Sequence, residues 1–214
     1  MNKKNSIIAI VVLVVITAVA VYQIVQKRQS NQAEDAASTQ KVADKDFGLS
    51  FSYKGGKNGF TLVEPPASQV GILKAYLLLP SKAYEEYKTK EIAGEAPAGM
   101  NIFVFTMDEN KATTTDSAVD SASTTTRVDR LARLKEWAIT NTTITSYTSA
   151  KAAPETVEID GLKMLRYQAD GLYQQDIYLG SYKNRAYMFV GQYNEESDQT
   201  FTAFQELMST VSFD

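Results

Sequence analysis

The chain contains no cysteine and no histidine among its 214 residues. Without cysteine it has no thiol nucleophile, no disulfide, no iron–sulfur ligand and no lipid-attachment cysteine of a bacterial lipoprotein. Without histidine it lacks the commonest general base and the commonest metal ligand, so Ser-His-Asp, Cys-His and HExxH sites are excluded. An enzyme built from these residues needs carboxylates, lysine, tyrosine or a borrowed cofactor. We therefore predict no catalytic, cofactor-binding or metal-binding residue.

The charge balance argues against a nucleic-acid partner. The formal net charge is −3 at pH 7, whereas nucleic-acid-binding domains carry a basic patch or stripe. The densest basic group consists of Arg127, Arg130, Arg133 and Lys135. This spacing is typical of a solvated helix face.

A long apolar segment near the N-terminus predicts a membrane span. It begins at Ile7 and ends at Val25, and no charged residue lies between Lys4 and Lys27. Nineteen helical residues reach about 28 Å, which is close to the thickness of the hydrocarbon core of a bilayer. We therefore predict that residues 1–28 form a membrane anchor with a single transmembrane helix. The short N-terminal flank favours a cytoplasmic N-terminus, with the rest of the chain outside the cytoplasm.

A cleaved signal peptide is the alternative to an anchor. The basic N-terminus and the small-x-small sequence Ala18-Val19-Ala20 fit a secretory signal, and cleavage near Ala20 would release the protein. The apolar run continues past that site to Val25, which is longer than a typical signal segment. We favour the anchor for this reason.

Two polar segments are predicted to be flexible. Residues 29–44 are rich in alanine, serine and glutamine and are interpreted as a tether. Residues 108–126 are low in complexity and are interpreted as a mobile loop within a body formed by residues 45–214. This loop contains the acids Asp108, Glu109, Asp116 and Asp120, whose spacing does not match an EF-hand.

Period-two alternation and short apolar runs predict strands in the first half of the body. These strands cover residues 47–53, 60–63, 72–79 and 100–106. Ser81 is predicted to cap a short helix that ends at Tyr87, and a capping-box-like pair formed by Thr126 and Asp129 begins an amphipathic helix that ends near Thr140. Trp137 on this helix is interpreted as a core residue, with stacking on a ligand as the alternative.

The last third of the body predicts an antiparallel meander. Asp160-Gly161 and Asp170-Gly171 lie between alternating apolar runs, and Asp-Gly is a strong signal for a two-residue hairpin turn. A third turn is predicted at residues 181–184, followed by a helix capped by Asn194 or Ser197. The body is therefore assigned to the α+β class, as an antiparallel sheet sandwiched by helices.

The order of several segments resembles the PsbP-like α+β family. These segments are DFGLSFSYKGG, LKEWA, VEIDGLKMLRYQADG, AYMFVGQY and FQELMSTVSF, and they cover most of the body. The first segment departs from the family pattern at Lys54-Gly55, where the usual proline is absent. The resemblance implies an antiparallel sheet between helices and carries no catalytic residue. Family members mostly act as assembly or accessory subunits.

Three functions remain open from the sequence. The first is a membrane-tethered extracytoplasmic interaction or accessory module with a protein partner in the envelope. Its contact surface would be aromatic, unless the tyrosines simply pack the sheet. The tyrosines in question are Tyr173, Tyr178, Tyr182, Tyr187 and Tyr193.

The second function is a carboxylate-based envelope hydrolase resembling a glycosidase, which needs two acids across a cleft. The third is a carrier of a small ligand or lipid in a pocket between sheet and helix. The meander offers five acids for the second function: Glu155, Glu158, Asp160, Asp170 and Asp176. The turns explain Asp160 and Asp170 better than catalysis does, and Glu158 is expected to point to solvent.

Overall fold

The computed structural model describes residues 38–65, 71–89, 96–107 and 125–214. The predicted span from Ile7 to Val25 and residues 108–124 of the predicted loop lie outside this part of the chain. Among the helices that the structure describes, none combines the length and apolar character that a membrane crossing requires.

The described residues form ten strands and four α-helices. The strands are β1 (Ser38–Asp44), β2 (Leu49–Gly55), β3 (Phe60–Val63), β4 (Ile72–Pro80), β5 (Met100–Thr106), β6 (Glu155–Ile159), β7 (Leu162–Asp170), β8 (Gln174–Tyr182), β9 (Arg185–Tyr193) and β10 (Ser212–Phe213). The helices are α1 (Ser81–Thr89), α2 (Thr125–Thr140), α3 (Thr142–Thr145) and α4 (Gln199–Met208), with a 3₁₀ turn at Tyr147–Ser149. Helix α2 thus includes the last two residues of the predicted mobile loop.

All ten strands belong to one sheet, in the order β1-β2-β3-β4-β5-β9-β8-β7-β6, with β10 paired to β2. Strands β6 to β9 are consecutive antiparallel neighbours, which confirms the predicted meander. The prediction of a wholly antiparallel sheet is wrong at one place. Strands β2 and β3 run parallel through the single pair Gly55 and Phe60, because the short turn between them bends the chain sideways rather than reversing it.

Two apolar clusters lie on opposite faces of the sheet. Successive side chains of β9 point to opposite faces of the sheet. Tyr187 and Phe189 pack in the first cluster, and Met188 and Val190 pack in the second. Helix α4 packs on the first cluster through Phe204, Leu207 and Met208. Helix α2 packs on the second through Leu134 and Ala138. The prediction of a sheet sandwiched by helices is therefore confirmed for the described residues.

Strand β1 corrects the predicted tether. Residues 38–44 pair along their whole length with β2, from Ser38 opposite Gly55 to Asp44 opposite Leu49. The prediction of a flexible segment is wrong for these seven residues, and the rest of that segment lies outside the described residues. Backbone pairing to an existing strand orders them although they bring little apolar surface.

The two Asp-Gly pairs behave differently. Asp160 and Gly161 have φ angles of 49° and 72°, as the predicted two-residue turn requires. Neither Asp170 nor Gly171 has a positive φ, and Asp170 pairs directly with Gln174. The second turn is therefore a three-residue loop, which corrects the prediction.

The remaining predicted boundaries hold with small shifts. Lys183 and Asn184, with φ angles of 44° and 60°, close the β8–β9 hairpin where a turn was predicted. The N-cap of α4 is Asp198 rather than Asn194 or Ser197. One Asp198 carboxylate oxygen accepts hydrogen bonds from the backbone N–H groups of Asn194 and Glu195, which shapes the loop that leads into the helix.

Candidate functional site

Two of the five meander acids meet on one arginine. Arg166 on β7 donates from Nε to Oδ1 of Asp176 over 3.1 Å and from Nη2 to Oδ2 over 3.0 Å. Its third nitrogen, Nη1, lies 3.3 Å from the carboxylate of Glu155 on the edge strand β6. Gln205 on α4 donates to Oδ2 of Asp176 over 2.8 Å. The group therefore joins the sheet to helix α4.

Asp176 is completely buried in this group, while Arg166 keeps part of its side chain in solvent. The hydrogen bond to Asp176 is the main cause that raises the pKa of Arg166 above its ordinary value. Arg166 also lies over the ring of Tyr178, with 5.2 Å between the guanidinium carbon and the ring centroid. Because both oxygens of Asp176 already accept hydrogen bonds, this carboxylate holds the fold together rather than facing a substrate.

The other three acids lie apart from this pair. Asp160 accepts a hydrogen bond of 2.7 Å from the backbone N–H of Phe213 and so attaches β10 to the β6–β7 turn. Asp170 forms an ion pair with Lys151 at 2.6 Å. Glu158 is exposed on β6, as predicted. Among these five acids, the structure therefore does not place two across a cleft in the way that a glycosidase requires.

Strand β1 contains the spacing of a serine–lysine pair, Ser38 and Lys41. Residues three apart on a strand point to opposite faces, so the two side chains do not meet. The hydroxyl of Ser38 instead accepts a hydrogen bond of 2.9 Å from the amide of Gln40.

Three of the five tyrosines proposed for an aromatic surface pack the core. Tyr178, Tyr187 and Tyr193 are each at most 5% exposed, which confirms the packing interpretation for them. Tyr173 and Tyr182 are half-buried. The tyrosines therefore do not form a continuous aromatic contact surface on this sheet.

Burial gives the tyrosines a testable pH dependence. Desolvation raises the pKa of five buried tyrosines above the ordinary value near 10, and these are Tyr76, Tyr167, Tyr178, Tyr187 and Tyr193. The unfolded chain ionises its tyrosines near pH 10 while the folded chain keeps these protonated. Because the pKa of each of these tyrosines is higher in the folded chain than in the unfolded chain, their burial stabilises the fold fully below pH 10. This stabilisation is lost as the pH rises above 10. We expect urea unfolding curves to show a free energy of unfolding that falls as the pH rises above 10, with a slope that approaches about 1.4 kcal/mol per pH unit for each tyrosine that stays protonated.

Absorbance of tyrosinate at high pH checks the same point independently. The folded chain should show fewer ionised tyrosines than the urea-unfolded chain at the same pH. Equal absorbance in both states would contradict the burial of these hydroxyls.

Trp137 packs against the core without being fully buried, and the described side chains of the basic group are exposed or half-buried. Trp137 is half-buried against the second cluster, with its ring centroid 5.3 Å from that of Phe105. Arg130 and Lys135 are exposed on α2. The side chain of Arg127 and the four loop acids lie outside the described residues. Within the described part of the chain, no group of three potential ligands has the arrangement of a metal site.

Sequence reasoning missed two exposed isoleucines at the corner between α2 and α3. Ile139 is 53% exposed and Ile144 is 40% exposed, and we call this pair the isoleucine corner. Ile139 follows Ala138, the last residue of the buried stripe, so it falls about 100° away from that stripe. Its position outside the stripe was the signal that could have identified it.

Hydrogen bonds fix the backbone under the isoleucine corner. The side-chain amide of Asn141 donates to the carbonyl of Trp137 over 2.8 Å, and the buried hydroxyl of Thr145 donates to the carbonyl of Ala138 over 2.8 Å. Tyr167 on β7 donates to the carbonyl of Thr145 over 2.6 Å. These bonds tie the end of α2 and the start of the next turn to the sheet. The two isoleucines are therefore presented on a rigid support.

Solved structures that are similar in fold to this chain include two of low sequence identity. The first is the solution structure of cyanobacterial PsbP (CyanoP) from Synechocystis sp. PCC 6803, with a TM-score of 0.49 and 13% sequence identity. The match covers 83% of this chain and 94% of that one. CyanoP is a member of the family that the sequence resembles.

The second is a crystal structure of a Bacteroides thetaiotaomicron VPI-5482 protein, with a TM-score of 0.43 and 9% identity, covering 84% of this chain and 49% of that one. No protein-family model and no curated protein sequence matches the chain. Both structural likenesses are of fold, and neither assigns a residue or a partner to this protein.

Proposed function

We propose that this protein is a membrane-tethered extracytoplasmic interaction or accessory module that binds a protein partner in the cell envelope and does no catalysis of its own. The observation that carries the proposal is the isoleucine corner, where two large apolar side chains remain in solvent on a rigid backbone. A rigid apolar surface binds with a small loss of conformational entropy. The predicted span from Ile7 to Val25 supports the membrane location.

A carboxylate-based hydrolase fits the geometry less well. Its best pair of acids, Glu155 and Asp176, shares Arg166, and Asp176 is buried beneath it. An interaction module needs no pair of catalytic acids. In this structure Glu155 and Asp176 instead hold neighbouring strands and helix α4 together through Arg166 and Gln205.

The experiment compares complexes extracted from membranes of the native cells with a mild detergent. The double variant Ile139→Lys/Ile144→Lys is expected to run as the isolated chain, whereas the wild-type chain runs as a larger complex. Lysine suits the end of a helix electrostatically, so the fold should persist, and circular dichroism checks this. The matched control is Leu73→Lys on β4, where Leu73 is 37% exposed.

The control variant is expected to keep the wild-type complex size. A double variant that runs like the wild type would show that the isoleucine corner is not the contact surface. A wild-type chain recovered in the soluble fraction would contradict the membrane tether.

A further inference from the structure

The outer half of strand β1 contributes little to the core. Residues 38–41 are all exposed, and Val42 is half-buried against the cluster under α4. Their order comes from backbone pairing to β2. Local opening of such a segment exposes little apolar surface, so its free-energy cost is small compared with global unfolding.

The other end of β1 is firmly held. The hydroxyl of Tyr76 on β4 donates a hydrogen bond to Oδ2 of Asp44. Oδ1 of Asp44 accepts from the backbone N–H of Asp46 over 3.0 Å and of Phe47 over 3.3 Å. Tyr76 is 1% exposed, so its hydroxyl relies on Asp44 rather than on water.

Strand β9 holds the following turn. Tyr187 donates to the carbonyl of Phe47 over 2.6 Å, and Arg185 donates from Nη1 to the carbonyl of Asp46 over 2.6 Å. The guanidinium of Arg185 also lies over the ring of Phe47, 4.8 Å from its centroid. We call the side chains of Asp44, Tyr76, Arg185 and Tyr187 the turn clamp. The hairpin of β1 and β2 thus has a loose outer end and a clamped turn.

We propose that β1 is a reserve of tether length: residues 38–41 separate from β2 in the folded protein while the turn clamp keeps Asp44 in place. This proposal rests on the proposed membrane tether. Twelve residues separate Val25 from Ser38 and span about 40 Å at most. Releasing four more residues lengthens the tether by about 13 Å while the rest of the body keeps its fold.

Amide hydrogen exchange on the full-length chain in lipid nanodiscs tests the reserve. The amides of residues 38–41 that bond to β2 are expected to exchange at least about 100-fold faster than amides of β5 and β9. A Thr39→Cys/Lys54→Cys chain supplies the matched control, because Thr39 and Lys54 are paired across the hairpin and the chain has no other cysteine. Oxidation is expected to slow β1 exchange, and reduction to restore it. Equal protection of β1, β5 and β9 in the wild-type chain would overturn the proposal.

A second pair of variants tests the clamp. Tyr76→Phe is expected to speed amide exchange at the clamped end of β1, residues 42–44, by about 10-fold or more relative to β5. Tyr167→Phe removes a comparably buried hydroxyl that donates to the carbonyl of Thr145 instead. This control variant should leave the exchange rate of β1 relative to that of β5 unchanged. If the exchange rate of β1 relative to that of β5 were the same in both variants, the role proposed for the turn clamp would be wrong. Membrane fractionation distinguishes the failure of this proposal from the failure of the membrane tether. A chain found in the soluble fraction would overturn both proposals. A membrane-bound chain whose β1, β5 and β9 amides are equally protected would overturn only the proposed opening of β1.

Discussion

Replacing Arg166 with methionine is expected to lower the free energy of unfolding by about 3 kcal/mol. Asp176 is fully buried, and Arg166 supplies two of its hydrogen bonds and the compensating charge. Methionine keeps most of the apolar stem of the side chain, so the loss reports mainly the uncompensated carboxylate. Urea unfolding followed by the fluorescence of the single tryptophan, Trp137, measures the change.

Two matched variants separate this effect from an ordinary surface ion pair. Lys151→Met removes the partner of Asp170, whose side chain is 70% exposed, and should cost less than about 1 kcal/mol. The double variant Arg166→Met/Asp176→Asn is expected to be more stable than Arg166→Met alone, because the buried charge has gone. Equal losses for Arg166→Met and Lys151→Met would contradict the role assigned to the buried pair.

Replacing Gly191 with alanine is expected to destabilise the protein by about 2–3 kcal/mol. A Cβ atom at this position would lie 2.4 Å from the ring of Phe204, which packs α4 against β9. The ring is completely buried and cannot move aside without displacing the helix. Thermal or urea unfolding measures the loss.

Gly180→Ala on the adjacent strand β8 is the control. The new Cβ would lie 2.9 Å from the terminal methyl of Met164 and 3.0 Å from its Cγ, and a flexible methionine yields more readily than a ring, so we expect a smaller loss than at Gly191. Phe204→Leu in the Gly191→Ala background should cost less than it does in the wild-type background, because it relieves the clash. Similar losses for the two glycine variants would contradict the close packing of α4 on β9.

Much of the fold was predictable because local patterns coincide with the final packing. Strand β5 occupies the residues that its apolar run predicts, and Asp160-Gly161 forms the expected turn. Strand β1 was not predictable, since it contains one large apolar residue, Val42, and depends on β2 for its order. Asp170-Gly171 failed as a turn signal because the paired residues are Asp170 and Gln174, which leaves three residues in the loop.

The sequence identified the acids of the site but not their arrangement. Glu155 and Asp176 were candidates for catalysis as isolated residues. Their shared partner, Arg166, lies on the strand between theirs, and Gln205 lies on a helix 29 residues beyond Asp176. Such pairing depends on strand register and helix placement, which a single sequence does not reveal. The exposed Ile139 became significant only when the hydrogen bonds under it were seen to fix the corner.

The most direct test of the proposed interaction places a photoactivatable amino acid at position 139 of the full-length chain in native membranes. The isoleucine corner predicts a cross-linked adduct of defined mass with another envelope protein at position 139 and again at position 144. Position 73, which is also exposed, should give no such adduct. No adduct at positions 139 and 144, or the same adduct at position 73, would contradict an interaction module that binds through this corner.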